Sequence, residues 1–160
     1  MKAGGATLAD VAIRSVNWRD YGLFDGPEVD FGAQLTAFVS DAEDANRRQL
    51  WQTMESRVFL QDDIAPAAEP AISVLLAALA DPRSEPARIG ILDLLFHLVQ
   101  AASYREDELG RRCMNRAAEG AWLLVREARS GSTPVVEACL EILDICAPEC
   151  AQVTRQADLG

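Results

Sequence analysis

The only histidine, His97, follows Asp93 by four residues, a spacing that puts both side chains on one face of a helix. Such a pair could serve as a general base with its orienting carboxylate, or as half of a metal site. A zinc site needs three or four ligands, and no nucleophile motif accompanies the pair. It therefore also reads as a rim pair on a mostly buried helix. Four cysteines, Cys113, Cys139, Cys146 and Cys150, are the other reactive side chains. The step from Cys139 to Cys146 is about two helical turns, so the last three could gather thiolates for a metal or a redox switch. They contain no C-x-x-C, and Pro148 redirects the chain between Cys146 and Cys150. Lying in Ala- and Leu-rich segments, they suit the role of small buried hydrophobes. There is no P-loop, dinucleotide fingerprint, H-E-x-x-H or kinase signature. We expect no catalytic residue, no cofactor and no metal.

A different chemistry lies in the acids. Glu137, Glu141 and Asp144 follow i, i+4, i+7 spacing in a segment that is otherwise almost wholly apolar. That helix has one polar stripe, and the stripe is acidic. Asp93, His97 and Gln100 form the corresponding stripe one helical hairpin earlier. The two stripes read either as solvated faces or as one surface for a basic partner. Trp18, with Tyr21 and Phe24, lies in an irregular N-terminal stretch. This cluster reads either as a binding hot spot or as a cap over an open end of the fold. Trp51 and Trp122 fall in apolar helical patterns and are expected in the core. Between Pro82 and Ser132 there are eight arginines against seven acids, with Glu106-Asp107-Glu108 interleaved, which favours local ion pairs over phosphate contacts.

The elements that position these residues are helices. Thr7–Val16 and Phe31–Val39 read as short helices, separated by turn signals at Tyr21-Gly22 and Asp25-Gly26-Pro27. Ser40-Asp41-Ala42-Glu43 has capping-box form and opens a helix to about Phe59. Asp62-Asp63 precedes a helix over about Pro66–Ala80 that ends at Asp81-Pro82. Glu85-Pro86 opens a helix to about Ser103 that is apolar on most sides and must be covered on at least two flanks. After a polar connection at Tyr104–Gly110, helices follow over about Arg112–Arg129 and from Thr133-Pro134 to Pro148. Pro148–Leu159 is a terminal turn or helix. No segment shows strand alternation.

The 160 residues suit one domain, and a 49% hydrophobic, 25% charged composition excludes disorder and membrane embedding. The net charge of −10 opposes nonspecific nucleic-acid binding. No apolar run approaches the ~20 residues of a membrane span. Asp10 and Arg14 interrupt any apolar signal core, so a cytoplasmic location is expected. Alanine, the strongest helix former, occurs 26 times.

Two stretches repeat. Ala67-Ala68-Glu69-Pro70-Ala71-Ile72 matches Ala117-Ala118-Glu119-Gly120-Ala121-Trp122 at an offset of 50, and Ile91-Leu92-Asp93-Leu94-Leu95 matches Ile142-Leu143-Asp144-Ile145-Cys146 at an offset of 51. A fainter copy spans Ala33 to Met54. These offsets suit a HEAT or armadillo array. On these residues, with Leu50-Trp51, Cys113–Leu124 and Ala138–Cys150, the stretch from about Ala45 to Val153 resembles bacterial HEAT-like repeat proteins. The resemblance implies an all-α, right-handed superhelix of about three helical hairpins with no sheet. Residues 1–31 would form a capping segment, and residues 32–160 the hairpins, of one domain. It implies a scaffold or binder and lends no active-site residue. Some short members resemble immunity proteins that neutralise a toxin. The expected function is a non-catalytic protein binder. It covers a basic partner, such as a nuclease toxin, through Asp93, His97, Gln100, Glu137, Glu141 and Asp144, with Trp18 as a further contact. An adaptor subunit of a larger assembly is the second reading, and a small hydrolase-like enzyme using Asp93 and His97 the third. Neither nucleic acid nor membrane is expected as a partner, and the sequence leaves the oligomeric state open.

Overall fold

The computed structural model describes residues 5–40 and 44–157. These form nine α-helices: α1 (Leu8–Arg14), α2 (Phe31–Val39), α3 (Asp44–Arg57), α4 (Ala68–Ala80), α5 (Glu85–Ser103), α6 (Glu108–Glu119), α7 (Ala121–Ser130), α8 (Thr133–Cys146) and α9 (Pro148–Ala157). No helix among the described residues is long and apolar enough to cross a membrane.

Local chemistry places most helix ends. Thr7 and Asp10 make a reciprocal capping box at the start of α1. Ser84 accepts from the Ala87 N–H and Asp107 from the Gly110 N–H, which starts α5 and α6. Pro86 and Pro134 occupy the first turns of α5 and α8, where the missing N–H costs nothing. The capping box expected at 40–43 falls mostly on residues outside those described. Within them, Ser40 closes α2, its hydroxyl donating to the Ala37 carbonyl.

α5 is the centre of the core. Ile91, Leu92, Leu94, Leu95, Leu98 and Val99 are fully buried, and the helix packs against α2, α3, α4, α6 and α8. An apolar helix of this kind has nowhere else to stand. The N-terminal segment is tied to it through α4. The Asp81 carboxylate accepts from the Leu8 and Ala9 N–H groups at 2.9 and 3.1 Å, so the end of α4 caps the start of α1.

The expectation of no sheet needs correction on a small scale. Phe59–Leu60 (β1) pairs antiparallel with Asp63–Ile64 (β2), with Phe59 opposite Ile64. Gln61 turns the chain at φ 56, in the left-handed region where glycine is the usual occupant. Two-residue strands carry no alternation to read, and burial of Phe59 and Ile64 holds the hairpin. Asp63 consequently pairs with Arg105, and Glu69 is the acid in the first turn of α4.

The helix expected at 112–129 begins at Glu108 and breaks at Gly120. A Cβ at Gly120 would stand 2.6 Å from the Leu76 methyls, so the Leu76 side chain would have to move to admit one. The break separates the segments matched at an offset of 50: Pro70 lies inside α4, whereas Gly120 joins two helices. The first-turn prolines of α5 and α8, Pro86 and Pro134, are 48 residues apart. At that offset Ala87, Ile91, Leu94 and Leu95 fall on Val135, Cys139, Ile142 and Leu143, all buried. In that register Asp93 falls on Glu141, and at an offset of 51 on Asp144; both acids are exposed.

Candidate functional site: the exposed faces of α5 and α8

α5 and α8 pack directly together. Arg83, Glu85 and Arg88 line one polar cleft with Ser132 and Val135, so the two helix starts lie side by side. Each helix turns an unburied stripe outward. On α8, Glu137, Glu141 and Asp144 are exposed; on α5, Asp93 is exposed and His97 and Gln100 are half-buried. Glu137 and Glu141 have no ion-pair partner among the described residues, so their charge is free. Asp144 differs, because Arg155 of α9 grips it through two hydrogen bonds at 2.7 and 2.8 Å. The Arg155 guanidinium holds the Asp144 carboxyl below the usual carboxylate range. The stripe expected to be wholly acidic is thus neutralised at its far end.

His97 sits in an aromatic setting. Its ring lies 5.1 Å from Trp51, 5.4 Å from Phe59 and 5.7 Å from Phe96, centroid to centroid. Its Nδ1 is 2.8 Å from the Asp93 carbonyl and 3.5 Å from the Asp93 carboxylate. The backbone oxygen is therefore the closer partner. The carboxylate is an i, i+4 neighbour that orients the imidazole weakly. No group of three or more His, Cys, Asp or Glu among the described residues could hold a metal ion.

Trp18 lies largely in the core. It is 8% exposed, packs edge-on against Phe31 at 5.2 Å, and donates its indole N–H to the Ile13 carbonyl. Its place is in the core between α1 and α2. Trp51 is half-buried beside Phe38, Phe59 and His97. Trp122, expected in the core, is instead 77% exposed. Its neighbours Ala121 and Leu124 face α7's partners, and a run of five apolar residues does not reveal which of them points inward.

Seven of the eight arginines between Pro82 and Ser132 are engaged by acids. Arg83 pairs with Asp81, Arg88 and Arg126 with Glu127, Arg105 with Asp63 and Asp107, Arg111 with Glu108, and Arg112 and Arg116 with Glu69. Arg105 holds the Asp107 carboxyl down to about 2. Only Arg129 lacks such a partner among the described residues.

The thiols are unpaired, and burial suppresses their chemistry. Cys113 and Cys139 are pushed up to about 12 and Cys146 to about 11, in each case chiefly by desolvation of the thiolate. At pH 8 these three should stay protonated, so native protein should lose them to iodoacetamide far more slowly than a free thiol reacts. All four should label after denaturation. Rapid native labelling of Cys113 or Cys139 would contradict the burial argument.

Comparison with protein families, with curated proteins and with solved structures finds no match to this chain.

Proposed function

We propose that this chain is a non-catalytic protein-binding module, a HEAT-like helical repeat protein whose acidic face covers a basic protein partner in the manner of a stoichiometric inhibitor or immunity protein. The observation that carries the reading is the pair of free, exposed carboxylates Glu137 and Glu141, beside exposed Asp93 on the helix packed against theirs. Uncompensated like charge on one surface repels itself, and a basic partner relieves that repulsion. Complementary charge then speeds encounter.

The helix order supports the repeat part of the proposal. α2 with α3, α4 with α5, and the broken pair α6–α7 with α8 make three successive hairpins. The second helices run alongside one another: Arg47 of α3 reaches Gly90 and Trp51 reaches His97, while α5 and α8 start together. We take this row as one side of a right-handed superhelix, its exposed stripes lining the binding face. The proposal includes a reducing, cytoplasmic setting, in which four unpaired thiols persist.

The test is charge reversal at exposed positions, of which only Asp93 makes a contact, the weak one to His97. Asp144 is left intact because Arg155 depends on it. A chain carrying Asp93→Lys, Glu137→Lys and Glu141→Lys should melt like wild type, since exposed substitutions usually stay within about 0.5 kcal/mol. Immobilised wild type should capture a basic protein from the source lysate, with an on-rate that falls as salt rises. The triple variant should bind that protein about tenfold more weakly, roughly 1.4 kcal/mol. Equal recovery by both chains would leave the stripe a solvated face.

A further inference from the structure

The two ends of the molecule are finished differently. At the N-terminal end, α1 and the segment around Trp18 cover α2 and α4. At the C-terminal end, α7 and α9 pack side by side, and no described element lies over them. Their outer faces form an open groove of about 380 Å³. Trp122 and Val125 line one wall, Cys150, Val153 and Ala157 the other. Trp122 is 77% and Val153 63% exposed. A large apolar side chain gains about 1.5–3 kcal/mol when it is fully buried, so this face gains strongly from a cover. Tryptophan is also among the residues enriched as interface anchors.

The charges at the groove indicate which cover fits. Arg129 stands in the last turn of α7 and Glu149 in the first turn of α9, and both line the groove. α8 folds back on α7 through a two-residue turn and is joined to α9 by Ala147 alone, so α7 and α9 run in the same general sense. Arg129 and Glu149 therefore lie toward opposite ends. Neither has an ion-pair partner among the described residues. A twofold axis through the middle of the groove exchanges its ends. It carries Arg129 of one copy to Glu149 of the other, twice over, and sets the Trp122 and Val153 side chains of the two copies against each other. That is the self-complementarity an isologous contact requires.

We infer that the α7–α9 face is a homodimer interface, closed by a second copy of this chain related by a twofold axis. Burial of Trp122 and Val153 supplies the attraction, and the paired Arg129–Glu149 contacts set the register. This surface is distinct from the acidic stripes of α5 and α8.

The experiment is sedimentation velocity on the full chain, from micromolar to sub-millimolar concentration. Wild type is expected to dimerise, and Trp122→Asp to sediment as a monomer with wild-type helix content by circular dichroism. Arg129→Glu alone and Glu149→Arg alone should each weaken the dimer about tenfold, because each places like charges together twice. Mixing these two variants is the decisive step. In the mixed pair both contacts become favourable again, one as in wild type and the other with its signs exchanged, so the dimer should return. Loss of helix-dipole support within one chain would not be repaired by mixing. A wild-type monomer throughout the range overturns the inference, as does a dimer that survives Trp122→Asp or a mixture that stays monomeric. A monomer that carries a different protein on this face, and loses it in Trp122→Asp, also overturns it and assigns the groove to that protein.

Discussion

Replacing Arg57 by alanine is expected to destabilise the fold by about 2–3 kcal/mol. Arg57 is 5% exposed and has no carboxylate partner among the described residues. Its guanidinium donates instead to the Asp25 and Pro27 carbonyls and to Gln34 Oε1, and lies 5.7 Å from the centre of the Phe31 ring. It thereby fastens the turn-rich segment before α2 to the end of α3. Gly26 shows how close the fit is: it stands at φ 79, and a Cβ there would meet the guanidinium at 2.8 Å. Three acceptors lose a charge-assisted bond in the variant. The total stays below the sum of three such bonds for two reasons. Relieving a buried charge returns some desolvation energy, and the exposed turn lets water reach the freed carbonyls. Urea denaturation should show a lower midpoint at an unchanged slope. A cost under about 1 kcal/mol would mean that apolar packing alone holds the segment.

The second large effect is expected at Glu69. This buried acid in the first turn of α4 receives the Arg112 Nε–H and the Arg116 Nη2–H, and Arg116 also donates to Ser73 Oγ at 2.9 Å. One carboxylate thus joins α4 to α6. Glu69→Ala should cost about 2 kcal/mol, less than the ~3–5 of a fully buried pair, because both arginines are part-exposed and can rehydrate. The acid also favours the N-terminal dipole of its own helix, which has no side-chain cap. A double-mutant cycle of Glu69→Ala with Arg112→Ala isolates the pair from that dipole effect. If the cycle closes with no coupling, the contact between α4 and α6 rests on packing around Cys113 and Ala117 instead.

Much of the helical layout was legible before any contact was known, and the reason is local. Asp81-Pro82, Pro86, Pro134 and Pro148 act on their own backbone, so they announce helix ends wherever the chain travels. The apolar density of α5 likewise had one consequence, burial on several flanks. The spacing of Glu137, Glu141 and Asp93 also sufficed to place them outside, because the positions flanking them are apolar and buried or half-buried.

Tertiary partners decided the rest. Nothing beside Asp144 in sequence says that Arg155, eleven residues on, returns to neutralise it. Trp18 and Trp122 show the same limit in opposite directions. The first lies in a turn-rich stretch yet is buried against Phe31, and the second lies in an apolar run yet faces out, because only the packing of whole elements chooses the inward side. Gly120, at the break between α6 and α7, lies against the methyls of Leu76, forty-four residues earlier. The match of Asp93 with Asp144 rests on identity of letters, whereas aligning the first-turn prolines of α5 and α8 brings buried positions together three residues out of step with it. Local backbone preference was therefore written in the sequence by itself, while the choice of which faces meet, and which charges stay free, belongs to the assembled core.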